Sequence, residues 1–364
     1  MIVYLLYIII TFIAYRLLLN DNVLYSGKVS LINSRKLHFT IISCTLLILI
    51  IGLKDISVGT DTERYLLHYL HDPVPDWKEG NVAGSELGFR YLEYWCSSIG
   101  LSWVSYSLLV AAIIVIPMGI FFYKYSENLW ASYMMYMTIG LFAMNMTGIR
   151  QSIACSMVVL GMIMLLNKKY FWFVISIILG FLFHYSAIIA FIIAVIPFIK
   201  YKSPWQLTLL LFIPLLVRIG GDAIFSLLGT YLPERYDGYE SQQLSMNPIL
   251  ELMWISILIF AYIALKKRAD ISQNIFSMYV MIVLFVSSIE LSFHVYMAGR
   301  LSEYFETVIV ACIPSFINRF PGNKKRVIAF AIYGLCILFF LVASAGSDTL
   351  SIYKYHFIRP GIPF

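Results

Sequence analysis

Apolar residues along this chain fall in long runs separated by short polar stretches. Twelve such segments can be marked, at roughly 2–19, 37–53, 102–123, 129–147, 150–166, 170–183, 185–199, 206–228, 248–265, 275–294, 300–318 and 327–345. A helix that crosses a bilayer needs ~20 apolar residues, with a working range of ~17–25. Because backbone polar groups cannot be left unpaired in lipid, runs of this kind predict helices and not open strands. The pattern therefore predicts an all-α, polytopic integral membrane helical bundle, a single transmembrane domain over residues 1–364 with twelve transmembrane segments. The pair flanking His184 has only 30 residues for both members. It reads either as two thin helices or as a re-entrant hairpin with Phe183-His184-Tyr185-Ser186 at its tip.

Composition supports the membrane reading. Charged residues make up 13% of the chain and hydrophobic ones 60%, whereas soluble domains carry about 25% charged residues. The net charge of +6 is scattered through short loops, so it points to membrane orientation and to no nucleic-acid partner. The first segment lacks a basic leader and a small-residue cleavage site, so a retained span is expected. The five cysteines contain no C-x-x-C pair, and neither a disulfide framework nor a zinc site is indicated.

Charge also orients the chain. One set of loops holds Arg16, Lys28, Arg35, Lys36, Lys124, Lys168, Lys169, Lys200, Lys202, Lys266, Lys267, Arg268, Arg319, Lys324, Lys325 and Arg326, with only Asp21, Glu127 and Asp270 as acids. The excess of basic residues places that face in the cytoplasm. Both termini, the loop 54–101, the segment 229–247, Arg150, His184 and Arg300 then lie outside.

The loop 54–101 carries its own helical signals. Thr60-Asp61-Thr62-Glu63 reads as a capping box with Thr60 at the N-cap and Glu63 at N3. Tyr65, Leu66, Tyr69 and Leu70 follow at helical spacing, which predicts a short amphipathic helix on the membrane surface, ended by Asp72-Pro73-Val74-Pro75. A second helix is expected from Glu86 through Trp95.

Two arginines break the rules that the rest of the chain obeys. Arg150 and Arg300 each open an apolar segment on the outer side, where a cation opposes the helix dipole and basic residues should be scarce. A guanidinium beside free helix N–H groups makes a cradle for an anion, and Gln151 adds a neutral donor. The plainer alternative for Arg150 is a pairing with a loop carboxylate, although its sequence neighbours Met146-Thr147-Gly148 supply none. For Arg300 it is a local pair with Glu303. Glu303 and Glu306 lie further into the span, where ionisable groups cost ~2.5–3.5 kcal/mol each and line wet cavities. His184 can take a proton from a hydroxyl, or sit as a polar residue in the aromatic belt. Asp61 follows Gly59, which permits close backbone approach, and it also suits a helix N-terminus by charge alone. Glu290 with His294, and Arg218 with Asp222, read as structural pairs. No P-loop, G-x-S-x-G, D-x-D or zinc-ligand pattern is present, so no cofactor or metal is expected, and ATP hydrolysis, serine hydrolase chemistry and metal-dependent transfer from nucleotide sugars find no support.

Four ordered blocks then resemble a family. They are Asp55-Ile-Ser-Val-Gly-Thr-Asp61-Thr with Tyr65, Gly148-Ile-Arg150-Gln151-Ser152-Ile-Ala, Phe183-His184-Tyr185-Ser186-Ala187, and Arg300-Leu-Ser-Glu303-Tyr304-Phe305. Together they resemble the EpsG-type branch of the Wzy-like O-antigen and exopolysaccharide polymerases. The segment 229–247 matches nothing beyond Arg235-Tyr236. The resemblance implies a glycosyltransferase in the bacterial plasma membrane with an outward-facing site. It would join repeat units carried on undecaprenyl pyrophosphate, one lipid-linked glycan as donor and another as acceptor. A chain-length regulator and a flippase are implied as further partners. In that frame Arg150, Arg300 and Gln151 hold the pyrophosphate, His184 or Asp61 is the base, and Tyr65, Glu303 and Tyr304 contact glycan. Alternatives are an O-antigen ligase-like transferase, which usually carries a larger outer domain, a lipid-linked oligosaccharide flippase or proton-coupled transporter, and a glycan-modifying acyltransferase.

Overall fold

The computed structural model describes residues 1–19, 29–71, 86–229, 248–266, 271–294, 298–346, 348 and 350–358. Its elements are α1 (Ile2–Leu18), α2 (Val29–Gly52), α3 (Thr62–His71), α4 (Leu87–Ser98), α5 (Trp103–Tyr125), α6 (Leu129–Thr138), α7 (Leu141–Thr147), α8 (Ile149–Leu166) and α9 (Tyr170–Phe183). A 3-10 helix (Tyr185–Phe198) follows, then α10 (Pro204–Leu211), α11 (Ile213–Gly229), α12 (Pro248–Lys266), α13 (Gln273–Leu291), α14 (Gly299–Ser302), α15 (Glu306–Ile317) and α16 (Gly322–Ala345). Polar residues mark helix starts where the chain enters the apolar runs. Ser102, Asn128 and Ser272 accept from the backbone N–H groups of Ser105, Ala131 and Ile275, and Ser203 forms a capping box with Gln206.

All twelve expected segments contain helix, but the count of uninterrupted spans is lower. Among the described residues six stretches are long and apolar enough to cross a membrane alone: Ile32–Gly52, Trp103–Tyr125, Ile149–Leu166, Pro204–Ala223, Gln273–Leu291 and Gly322–Ala345. Three of the expected spans are divided, 206–228 only by the single turn residue Phe212 between α10 and α11, and two others more deeply. The segment 129–147 divides at Gly140, whose positive φ of 92° ends α6 and starts α7. The segment 300–318 divides into the four-residue α14, a turn at 303–305, and α15. Arg300 therefore sits in a single helical turn and not at the N-terminus of a long span. Around His184 the chain reverses, since α9 packs against the 3-10 helix. At ~2.0 Å per residue the 14-residue 3-10 helix reaches ~28 Å, whereas the 14 residues of α9 reach ~21 Å.

Burial separates centre from rim. The apolar windows of α8 and α13 are 72% buried, against 11% for α16. On α16 only Cys336 and Phe340 face inward, and Phe330, Leu335 and Val342 point outward as lipid-facing residues would. Polar contacts sort the loops into two layers. At one end Asn318 bonds Glu127, Asn167 bonds Tyr125, and Gln273 bonds the backbone of Ile199 and Tyr201. At the other lie the 53–62 loop, α3, α4, the start of α8, the His184 joint, α14 and the tail 350–358.

Two sequence expectations change partners. Arg218 pairs with Glu290 at 3.8 Å and not with Asp222, while His294 Nδ1 lies 2.7 Å from Asp222 and not on Glu290. Sequence neighbours at i, i+4 lose here to groups on the facing helix, because α11 packs on α13. The segment 229–247 lies, beyond Gly229, outside the described residues, as do the prolines at 73 and 75.

Candidate functional site

The loop between α2 and α3 is tied down from three sides. Lys54 pairs antiparallel with Phe357, with Asp55 N–H donating to the His356 carbonyl at 2.9 Å and Ile358 N–H to the Leu53 carbonyl at 2.9 Å. Gly59 N–H donates to the Ser351 carbonyl at 3.0 Å. From below, the buried Lys54 ammonium donates to the Met146 carbonyl at the end of α7. Gly59 has φ +87°, and a Cβ there would collide with that same Met146 carbonyl. Glycine is thus required twice at this position, by conformation and by space. Burial pulls the Lys54 amine down to about 7, partly offset by the nearby Asp61 carboxylate. The capping register differs from the expectation by one residue: α3 starts at Thr62, the Asp61 carbonyl accepts the Tyr65 N–H, and the Thr62 hydroxyl turns back to the Val58 carbonyl. Asp61, not Thr60, holds the N-cap position.

The helices α3 and α4 dock on α5 and α8 through an aromatic layer. Tyr69 stacks on Tyr106 at 4.4 Å, its hydroxyl donates to the Leu101 carbonyl at 2.7 Å, and Tyr65 meets Phe89 edge-on at 5.5 Å. Each ring pair adds ~0.5–1.5 kcal/mol beyond burial. The second helix of the loop is present as expected, running to Ser98.

Arg150 lies at the start of α8, as the sequence predicts, but it has an acid. Its Nη1 is 2.9 Å from Glu86 Oε2, and it also bonds Tyr65. The carboxylate comes from sixty-four residues upstream, a distance at which local sequence inspection is blind. Glu86 Oε1 accepts the Tyr185 N–H at 3.4 Å, so one buried carboxylate links α4, α8 and the His184 joint. Breaking a buried ion pair by removing one partner costs ~3–5 kcal/mol. Close by, Glu93 is fully buried with His68 Nδ1 2.6 Å from its Oε2. Burial pushes the Glu93 carboxyl up to about 8, against the opposing pull of Arg150.

The Arg300 side chain is exposed and makes no ion pair among the described residues. Its backbone carbonyl accepts from Gln151 Nε2 at 2.9 Å, which fastens α14 to the start of α8 and brings the two arginine segments together. A second thread runs from His184. Its Nδ1 is 2.7 Å from Ser186 Oγ, which is 2.7 Å from the Tyr304 hydroxyl. Glu303, next in the chain, lines a cavity with Glu306, Asn145, Ser152, Ser156 and Cys155. Arg150, Gln151, Tyr65, His184, Tyr304, Glu303 and Arg300 thus form one connected group. Asp61 joins it through its charge contacts with Lys54 and Tyr65.

Sequence reasoning missed Lys54, Glu86, and His68 with Glu93 as members, whereas the depth of Glu306 in its span marks it. Lys54 was within reach of the rule that singled out the arginines, being a basic residue at the start of an outer loop. The others carry no local signal, because their partners come from distant parts of the chain.

The fold and this end of it define a helical membrane protein with a cationic and carboxylate-rich site at one end of the bundle. The chain belongs to the EpsG family, whose model matches residues 37–357, and so to the EpsG-type Wzy-like polymerases. It is a polysaccharide-polymerase-like membrane protein. Neither curated proteins nor solved structures give a significant match.

Proposed function

We propose that the chain is a repeat-unit polymerase of the bacterial plasma membrane. It transfers a glycan from undecaprenyl pyrophosphate to the acceptor sugar of a second lipid-linked unit at the outer face. What supports this reading is the Gln151–Arg300 backbone contact, which brings the segments that carry the two arginines side by side. Arg300 is the exposed cation that meets the pyrophosphate first. Arg150 can join only when a phosphate oxygen replaces the Glu86 carboxylate, an exchange of one anion for another on the same guanidinium. Cations at a developing diphosphate charge stabilise the transition state directly, with no metal needed. Tyr65, Glu303 and Tyr304 border the glycan. A flippase supplies the units and a chain-length regulator limits them.

Purified protein in liposomes, given only lipid-linked repeat units, should lengthen them without nucleotide, divalent metal or proton gradient. A second reading, a transporter of lipid-linked glycans, draws on one observation: two interrupted helices border a cavity with carboxylates, as in secondary transporters. Movement of intact units across the bilayer with no lengthening would replace the first reading by the second. Outside labelling of a cysteine at position 300 but not at 168 is expected, and the reverse pattern would overturn the outward site.

A further inference from the structure

Interrupting a membrane helix frees backbone polar groups that lipid cannot satisfy, so breaks persist only where protein or a wet cavity covers them. The breaks at Gly140 and at 303–305 border the same cavity. Tyr136, Leu141, Met144 and Asn145 line it from the α6–α7 break, and Glu303, Glu306 and Thr307 from the α14–α15 break. Ser152, Cys155 and Ser156 of α8 close a further side. Those α8 positions lie three to seven residues beyond Ile149, hence ~5–10 Å along the helix from its start. The cavity encloses about 440 Å³ with its open mouth. It has room for about two water-sized occupants, enough to admit a hydroxyl.

The polar groups of this lining are unequal. Ser152 is spent on the Met144 carbonyl, Ser156 on the Ile153 carbonyl, and the Asn145 amide on the Tyr136 hydroxyl. Glu303 and Glu306 have neither a hydrogen bond nor an ion pair among the described residues. They lie within electrostatic reach of one another, and Arg300 is within reach of Glu303. A carboxylate offers acceptors only, so an occupant of this space must donate. Two carboxyls that line one small cavity do not both carry charge readily, so one can hold a proton while the other presents an acceptor oxygen.

We propose that this cavity takes the acceptor hydroxyl and that the Glu303–Glu306 pair is the base that receives its proton. The inference rests on the polymerase reading above and assigns the proton transfer within it. The acceptor O–H proton passes to the free carboxylate while the acceptor oxygen bonds to the donor's anomeric carbon. The bond from that carbon to the pyrophosphate oxygen breaks, and its electron pair leaves with the lipid diphosphate toward Arg300 and Arg150. His184 and Asp61 take supporting places: His184 Nδ1 is engaged with Ser186, and Asp61 faces Lys54 across the anchored loop.

The test uses the full-length protein in liposomes with lipid-linked repeat units, reading kcat, KM and the pH profile. Glu303→Gln and Glu306→Gln should each lower kcat by ~10²–10⁴-fold with KM for the donor nearly unchanged, the size general-base loss takes. His184→Ala and Asp61→Asn, which disturb the site without removing this base, should each cost less than either glutamine variant. Because Arg300, Cys155, Tyr136 and Tyr304 also face the pair, the residual activity of Glu306→Gln carries a second readout. Its rate–pH profile should change shape, since a lone carboxyl titrates in one step and a coupled pair in two, whereas mere structural damage leaves the profile in place. Activity near wild type in both glutamine variants, or an unchanged rate–pH profile in Glu306→Gln, overturns the assignment while polymerisation by wild type stands. A wild-type protein that lengthens nothing overturns the polymerase reading itself.

Discussion

Arg150 and Arg300 look alike in the sequence, each within two residues of a glycine and each opening an apolar run, yet the structure treats them oppositely. Arg150 is half-buried on a long central helix, held by Glu86 and Tyr65. Arg300 is exposed on one helical turn between a polar corner and a cavity, with its charge unpaired among the described residues. One cation is a joint that fixes three parts of the molecule, and the other is available to a ligand. Position relative to a helix end told where both lie, but only the distant chain told which is already occupied.

The largest effect should come from the available cation. Arg300→Ala should cut polymer formation by ~10²–10³-fold, as loss of one charge-stabilising donor does. Its thermal midpoint in detergent should match wild type, since no ion pair is lost. Arg150→Ala should do the converse in stability. It strands the buried Glu86 carboxylate, so a loss of ~3 kcal/mol or more and a lowered midpoint are expected, with activity falling as a consequence. Equal destabilisation by both substitutions would erase the contrast. Thermal unfolding of the two variants side by side decides it.

The same contrast shows what the sequence could deliver. Every apolar run contains helix, because helix formation here depends on composition and local spacing. Gly148-Ile-Arg150 was readable as a helix start for the same reason. The division of the segment 300–318 was not, since no glycine or proline marks the turn at 303–305 that separates α14 from α15. Neither were Glu86 and Glu93, which look like ordinary acids of an outer loop. Their roles arise when α4 lays them against α8 and α3. The crossed pairing of Arg218, Asp222, Glu290 and His294 failed to appear for a kindred reason: facing helices outbid sequence neighbours.

A middle-sized effect should come from the anchor of the Arg150 side. Gly59→Ala places a methyl group against the Met146 carbonyl in a conformation that costs ~1–3 kcal/mol for residues with a Cβ. The loop must lift from α7, and Lys54 and Asp61 move with it. The expected result is a modest fall in stability and activity, with protease cutting between α2 and α3 increased. Resistance to cutting equal to wild type would show that the loop is held by the tail alone.

The smallest effect is a pH slope whose sign changes with the residue. Glu93 is held at about 8 against an ordinary 4.5 by burial, so the folded chain keeps a proton that the unfolded chain gives up over that window. The stabilisation is complete below 4.5 and is lost as pH rises toward 8. Lys54 behaves in the opposite sense. Burial brings it from 10.5 to about 7, so between these values the unfolded chain binds the extra proton and stability rises with pH. The two slopes oppose one another between about 7 and 8, and each acts alone outside that overlap. Glu93→Gln should therefore flatten the decline of the thermal midpoint between about pH 5 and 7 and leave the alkaline side unchanged. Lys54→Met should flatten the rise above about pH 8 and leave the acid side unchanged. Both residues belong to the Arg150 half, so Arg300→Ala should keep both slopes. If Arg300→Ala removes either one, the two halves are coupled through Gln151, and the division between joint and ligand cation gives way.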